Sequence, residues 1–453
     1  MKVLLVRPPR IKKAIALGEF MYSEPIGLEM VYAMLEAKHQ VEILDLMSEK
    51  ICIEDKLADY EPQVVGITTL CIDVPAAKEL AERVKKYDAN IITIIGGTQA
   101  FLNSRAFFID AVDHVMKYTT TGNIAQLYNY LETGEQPPLI DGICSRINDY
   151  QTTKKHGRNE YVLPNRESTA KYRSKYSYFG YKPCAIMGTS QGCAQNCRFC
   201  LRWRIEGAKE SYFPIDFVKE DILNIREDNI MIFDNDFLHN SHRIRELCDF
   251  LEAKQIQKNF ICYGSVRSVL NNKEAIKRFQ TLGLKAVLIG YETFKDEELN
   301  SYNKKSSIRD NIEASRFLKE IGLDVWASFM LHPDWSVGDF KAFRKYLKTL
   351  GPEVSSFSPL TPFPNLPLYA EYQDRLLVSK EDYEKWSFGE VTIQPSGISL
   401  RRYYYEILKT NLYVNLVRNN IIYLIKKFGL FSVLRLSAGS ISLFIRYLKL
   451  MVQ

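Results

Sequence analysis

The sequence predicts an α/β protein built as two strand–helix units in succession and closed by a helical tail. Three observations carry that expectation. Five short apolar runs before residue 120 alternate with helical patterns. Six more strand–helix alternations follow between residues 185 and 359. From about Ser379 the texture changes to aromatic, basic and helical.

In the first unit, residues 3–6 form an apolar run that stops at Arg7-Pro8-Pro9, a buried strand and its exit loop. Pro25-Ile26-Gly27-Leu28 opens a helical pattern that reaches Leu35. Residues 41–46, 63–68, 91–95 and 113–116 are the next strands, and 75–86 is a crossover helix. Strands joined by crossover helices predict an open, Rossmann-like parallel sheet over residues 1–135. Such sheets bind ligands at the carboxyl ends of their strands, so Thr68-Thr69 and Gly96-Gly97 are candidate binding loops.

Residues 136–180 are polar and irregular, with Pro137-Pro138 and the basic run 154–158, and are expected to be a linker with a lead-in strand before the second unit; a plain surface loop is the alternative. The second unit, residues 181–370, has expected strands at 185–188, 230–234, 260–264, 286–290, 324–329 and 354–359. Helical patterns lie between them, among them 215–226, 241–254 and 273–281. Six such units predict a partial (β/α)6 barrel, whose active residues sit at strand carboxyl ends. Residues 371–453 are expected to be a helical, basic C-terminal region.

Composition narrows the class. With 46% hydrophobic and 25% charged residues among 453, disorder is excluded as the default. The net charge is +6, but residues 401–453 hold nine Lys/Arg against Glu406 alone, so the other 400 residues are slightly acidic. That distribution excludes a basic nucleic-acid-binding body and leaves a local anionic contact for the tail. Nine cysteines, an odd number with three clustered, do not make a secreted disulfide framework. The N-terminus lacks a signal peptide's long apolar region, and no stretch of about 18 uncharged apolar residues exists. A reducing cytoplasm is the expected location.

The chemistry is concentrated in Gly188-Thr-Ser-Gln-Gly-Cys193-Ala-Gln-Asn-Cys197-Arg-Phe-Cys200. Three thiolates spaced C-x-x-x-C-x-x-C can each hold one iron of a [4Fe–4S] cluster and leave the fourth iron open. An open iron can chelate the amino and carboxylate groups of S-adenosylmethionine (SAM). The competing reading, a zinc knuckle, wants a fourth Cys or His nearby, and His156 and His239 are remote in sequence.

On these residues the segment from about Cys184 to Tyr369 resembles the radical SAM superfamily. The resemblance implies that the cluster reductively cleaves SAM to a 5′-deoxyadenosyl radical. It implies a SAM-proximal motif at Phe233-Asp234-Asn235-Asp236, an acidic variant of the usual Gly-Gly-Glu form. It also implies SAM contacts at Glu292, within Gly290-Tyr291-Glu292, and at Arg267, beyond the third strand of the unit. A strand-end Asp or Glu is more commonly a loop cap or an ion-pair partner, and that reading stands beside the functional one.

The first unit resembles the cobalamin-binding domains fused to such barrels, through residues 24–28, 41–46 and Ile95-Gly96-Gly97-Thr98-Gln99. The resemblance implies cobalamin held at Thr68, Thr69, Gly96 and Gly97, with glycines allowing close backbone approach to the corrin. The Asp-x-His-x-x-Gly motif that supplies a lower axial histidine is absent, and neither His39 nor His114 lies in that context. A vestigial sheet without cobalamin is the alternative.

Met330-Leu-His332-Pro333-Asp334-Trp335 and residues 358–368 are similar to segments of hopanoid methylases and their relatives, with Asn365 where a glycine is common. The likeness implies a cobalamin-dependent radical SAM methyltransferase acting on an unactivated carbon, of a small-molecule or lipid-like substrate. It implies an external electron donor such as flavodoxin or ferredoxin. Radical cyclisation or rearrangement, and a non-catalytic sensor, are the alternatives. In the tail, apolar and basic residues interleave from Asn411 onward, with no uncharged run after Lys427 longer than the ten residues 436–445. A span needs about twenty. A peripheral contact with the inner face of the membrane is one expectation; a helical cap folded on the barrel is the other.

Overall fold

The computed structural model of the protein describes residues 1–9, 21–135, 139–149, 156–419 and 421–452. Pro137-Pro138 and Lys154-Lys155, assigned above to the linker, lie outside them.

The first sheet contains β1 (Lys2–Arg7), β2 (Gln40–Asp45), β3 (Val64–Thr68), β4 (Ile92–Gly96), β5 (His114–Met116) and β6 (Ile143–Cys144), in spatial order β2-β1-β3-β4-β5-β6. All pairs are parallel except β5–β6. The strands are apolar on both sides because helices cover both faces: Leu4 and Val6 enter one core, Val3 and Leu5 the other. The strand order reverses between β1 and β3, so a crevice opens at their carboxyl ends, beside Thr68. Strand β6 falls inside the segment expected to be linker. Two residues are too few to show an alternating pattern.

The second sheet contains β7 (Cys184–Met187), β8 (Asn229–Ile232), β9 (Asn259–Gly264), β10 (Leu284–Glu292), β11 (Asp324–Leu331) and β12 (Val354–Pro359), all parallel and in sequential order. One face carries the large helix-covered core, with Ala185, Ile230, Cys262, Ile289, Ala327 and Phe329. The other carries Ile186, Met231, Ile261, Leu288 and Trp326.

The stretch from Asn165 to Tyr176 is not the surface loop its polarity suggested. It forms 3-10 turns over Arg166–Lys175 and lies wedged between the two units. Arg166, only 6% exposed, donates to Glu24 Oε1 at 2.7 Å and Asp221 Oδ1 at 2.8 Å. Arg173 donates to Glu24 Oε2 at 2.7 Å and pairs with Glu227. Burial, with the charge of Glu24 adding to it, pushes the Glu29 carboxyl up to about 8. Hydropathy assigns arginine to solvent; here acids from residues 24, 29, 221 and 227 solvate it in its place.

The C-terminal region folds as helices Leu400–Tyr413, Ile421–Phe428 and Leu430–Val452. Tyr403 donates to the Leu331 carbonyl at 2.8 Å, Phe428 packs on Trp326, and Lys427 and Arg446 pair with Asp324 and Glu390. Much of the tail is therefore a cap on the second sheet. Among the described residues no helix is long and apolar enough to cross a membrane.

Candidate active site

The cysteine loop leaves the carboxyl end of β7 and is fixed by groups from the ends of β8 and β10. Asp234, 2% exposed, accepts from the Thr189 amide at 2.6 Å, from the Thr189 hydroxyl at 2.5 Å and from Ser190 Oγ at 2.7 Å. Burial pushes its pKa up, against the pull of those hydrogen bonds. Its carboxylate is thus engaged in holding the loop's entry. Asn235 donates to the Gly192 carbonyl at 3.0 Å, and Asp236 accepts from the Ser265 amide at 2.9 Å and Ser268 Oγ at 2.7 Å.

Gly192 has φ +90°, and a Cβ there would lie 2.1 Å from the Lys209 carbonyl oxygen, so only glycine fits before Cys193. The Cys193 amide donates to the Gly207 carbonyl at 3.1 Å and the Trp203 indole to the Cys197 carbonyl at 2.8 Å. From the far side, the Arg198 amide donates to the Tyr302 carbonyl and Asn303 Nδ2 to the Asn196 carbonyl, at 3.0 and 3.1 Å.

This scaffold brings Cys193, Cys197 and Cys200 together. Burial pushes the Cys193 thiol up to about 12 and Cys197 to about 11, and raises Cys200; the charge of Cys200 adds to the rise at both Cys193 and Cys197. Three crowded thiols, Cys197 buried and Cys193 and Cys200 half-buried, favour a bound cation that deprotonates them outright. Among the described residues no three Cys, His, Asp or Glu side chains close on a single-ion point. A four-iron cluster does not require that, since each cysteine takes its own iron. The donor set fits such a cluster.

Glu292 stands at the end of β10 beside this loop. The ladder with β11 slips between Gly290 and Glu292, and Glu292 has φ +64°, a strained, re-aimed residue of the kind found at functional sites. Its carboxylate folds back over Gly290, where a Cβ would meet Oε1 at 2.0 Å, and accepts from Lys304 Nζ at 2.7 Å. Burial disfavours the Lys304 ammonium, but Glu292 and Cys197 outweigh it and raise its pKa. Sequence reading missed Lys304: within Asn303-Lys304-Lys305 it looks like an ordinary solvated loop residue. Arg267, expected at SAM, is an exposed residue of the helix Val266–Asn271, close to the loop only through Ser265, whose Oγ lies 3.4 Å from Gln195 Nε2.

In the first unit, Thr69 Oγ1 donates to the Gly96 carbonyl at 2.8 Å, and Gly97, φ +96°, would place a Cβ 2.5 Å from the Thr69 carbonyl oxygen. Gly97 is therefore required for the β3 and β4 loops to pack on each other, a different reason from approach to the corrin. Thr68 ends β3 beside the crevice. His114 begins β5, in register with Ile94, and its ring packs on Tyr130; His39 directly precedes β2 and packs on Tyr128, so both rings are taken up by the helix Thr121–Thr133. A cobalamin bound at this crevice would be held without either histidine. A Gly97→Val variant is expected to lose cobalamin retention by at least tenfold, because the Thr69 lock opens; equilibrium dialysis against hydroxocobalamin measures it, and unchanged retention would count against this loop.

The two carboxyl edges face each other. Cys71, just past Thr69, shares an apolar cluster with Leu201, the residue after Cys200, and with Phe363, Leu366 and Trp386. Asn365 Nδ2 donates to the Leu102 carbonyl at 3.3 Å; Asn365 has φ +76°, a left-handed backbone that asparagine tolerates.

Residues 187–347 match the family described as the radical SAM superfamily, and residues 20–125 match the B12 binding domain. Over 434 residues the chain is 26% identical to the hopanoid C-3 methylase of Methylococcus capsulatus, covering 90% of this chain and 79% of that one. It is 23% identical to the bacteriochlorophyllide d C-8(2)-methyltransferase of Chlorobaculum tepidum, covering 85% and 84%. The solved structure of the cobalamin-dependent SAM radical enzyme OxsB superposes with TM-score 0.71 at 16% identity, over 94% of this chain and 68% of that one. At that identity the likeness shows the fold. With both family matches placed on the two facing sheets, the chain is an enzyme that carries a radical SAM domain preceded by a B12-binding domain.

Proposed function

We propose that the enzyme transfers a methyl group to an unactivated carbon of a small-molecule substrate. The observation that carries this reading is the meeting of the two loop systems: Cys71, just past Thr69, and Leu201, just past Cys200, pack against one apolar cluster of Phe363, Leu366 and Trp386. When bound, the cluster, SAM and cobalamin supply a radical that takes hydrogen from carbon and a methyl group to replace it. The chain's part is placement. Asp234, Asn235 and Asp236 hold the cysteine loop, Glu292 and Lys304 offer an anion and a cation for the polar end of SAM, and Phe199, Leu201 and Phe363 keep water out. Hydrogen-atom abstraction needs no general base, which suits a site where Glu292 is already paired with Lys304.

The test is anaerobic incubation of reconstituted holoenzyme with methyl-deuterated SAM and a total extract of the host cell. Deoxyadenosine together with S-adenosylhomocysteine and a deuterated product supports methyl transfer. Deoxyadenosine without S-adenosylhomocysteine would replace it with cyclisation or rearrangement, and neither nucleoside would leave a sensor.

For the lipid-like substrate and the membrane contact, the support is the exposed apolar surface of the C-terminal helices. Leu416, Val417, Ile422 and Phe431 are each more than 60% exposed, around a cavity of about 380 Å³ lined by Leu412, Leu416, Ile421 and Phe444. Lys426 and Lys449 are exposed beside them. Anionic lipid contributes about 1 kcal/mol per basic residue near the surface, so each charge removed should weaken vesicle binding roughly fivefold. Lys426→Gln with Lys449→Gln is expected to show that loss in co-sedimentation with phosphatidylserine vesicles at low salt. Binding equal to the unaltered protein would refute the contact. Deleting the tail is the poorer experiment, since Tyr403, Val414, Leu424 and Tyr447 are buried.

A further inference from the structure

The segment 157–161 bridges the two units and is held from both sides. On the first-sheet side, Gly157 is buried against Phe101 of the helix Thr98–Leu102, which starts directly after Gly97; a Cβ on Gly157 would lie 2.6 Å from that ring. Asn159 Oδ1 accepts from the Thr119 amide at 2.9 Å and the Thr119 hydroxyl at 3.0 Å, and the Glu160 amide donates to the Thr119 carbonyl at 2.8 Å. Glu160 Oε2 accepts from the Thr121 amide at 2.7 Å, at the N-terminus of the helix Thr121–Thr133, where the helix dipole favours a carboxylate. These partners follow β4 and β5, neighbouring strands about 5 Å apart, and so stand beside Gly96 and Gly97.

On the second-sheet side, the Gly157 amide donates to the Ile205 carbonyl at 2.6 Å, Arg158 donates to the Glu206 and Lys209 carbonyls, and the Asn159 carbonyl accepts from Gln191 Nε2 at 3.1 Å. The guanidinium has room because residues 192 and 207 are glycines: a Cβ there would lie 2.5 or 2.9 Å from Arg158 Nη2. The Gly207 carbonyl in turn accepts from the Cys193 amide. Arg158 thus braces the turn from which Cys193 hangs. The segment ends on Tyr161, which stacks on Phe213 at 4.0 Å and donates to Asp221 at 2.9 Å.

Asn159 and Glu160 are exposed, so hydrogen bonds on its two sides, more than burial, order this part of the chain. Such a segment opens locally at low cost. A ligand that stills the loops after β4 and β5 therefore lowers the ordering cost left for a ligand at the cysteine loop, and the reverse holds equally. We propose that residues 157–160 are a strap that couples the two cofactor sites, with Asn159 and Glu160 as positioning residues, so that cobalamin and SAM each bind more tightly when the other is bound. The proposal rests on the function proposed above, in which both cofactors act together, and adds how their sites communicate.

The experiment uses the reconstituted full chain with its cluster oxidised and no reductant, so that SAM and hydroxocobalamin bind without reacting. Dissociation constants are measured by anaerobic equilibrium dialysis, each ligand alone and with the other saturating, and amide exchange over residues 192–209 is followed by mass spectrometry. In the unaltered protein each ligand should tighten the other by the same factor, about fivefold or more, because coupling is reciprocal. Hydroxocobalamin alone should slow exchange over residues 192–209. In Asn159→Ala combined with Glu160→Ala, each ligand alone should bind within about twofold of the unaltered protein, while the coupling factor falls to about one and hydroxocobalamin no longer slows that exchange. Asn159→Asp should keep the coupling, since Thr119 needs only the acceptor at Oδ1. Should the double variant not hold its cluster, Glu160→Ala alone is compared in the same way, and undiminished coupling there overturns the strap. Coupling that survives in the double variant overturns it too, as does its absence from the unaltered protein when both ligands bind; the methyltransferase reading then still stands. If the unaltered protein binds no hydroxocobalamin, that reading fails and the strap fails with it.

Discussion

A Cys197→Ala variant is expected to lose the cluster's open-iron chemistry completely: SAM cleavage to deoxyadenosine, measured chromatographically after anaerobic reconstitution, should fall to background. Cys193→Ala and Cys200→Ala should do the same. Cys197 is 7% exposed, its carbonyl is held by Trp203, and its thiol feels Lys304, Cys200 and Glu292, so no other group stands ready to replace the lost sulfur. Cys71→Ala is the informative control. Cys71 packs against the same apolar cluster as Leu201, and its pKa is raised by burial and then Asp73, not by any of the three cysteines. Full SAM cleavage in Cys197→Ala, or its loss in Cys71→Ala, would reassign the ligands.

The largest stability effect is expected at Arg166. Replacing it with leucine leaves Asp221, 1% exposed, without its guanidinium and Glu24, 3% exposed, with Arg173 as its remaining cation beside the Ile186 amide. Removing one member of a buried charge network costs about 3–5 kcal/mol, because the partners stay buried and lose their compensation. Arg166 also donates to the Ile186 carbonyl of β7 at 3.0 Å, so the cost falls on the junction of the two units. Urea unfolding followed by fluorescence should show it as a lowered midpoint, with Arg166→Lys intermediate because a lysine keeps the charge and loses the fork. A loss below about 1 kcal/mol in Arg166→Leu would mean that water enters the network and the wedge is not a true core.

Much of the architecture was legible in the sequence, for a physical reason. Strands buried on both faces must be nearly all apolar, so residues 3–6, 91–95 and 324–329 declare themselves, and amphipathic crossovers such as Val74–Tyr87 declare the helices between them. The cysteine triad was equally plain, since the spacing of three ligands on one loop is written in consecutive residues.

What tertiary structure alone decided are relations between residues far apart in the chain. Asp234 reads as a site acid, but three donors from Thr189 and Ser190 make it the clamp of the cysteine loop. Gly97 reads as a ligand-facing glycine, but the Thr69 backbone fills the space a side chain would need. Lys304 has no motif and gains meaning only from the 2.7 Å contact with Glu292 beside the cysteines. Residues 166–176 read as a polar linker and form a wedge with one buried face, because the acids that solvate Arg166 and Arg173 come from residues 24, 29, 221 and 227. Local pattern encodes which face a residue shows; which distant partner meets that face is settled only when the two sheets close on each other, since burial of a charge is permitted solely by the charge it finds there.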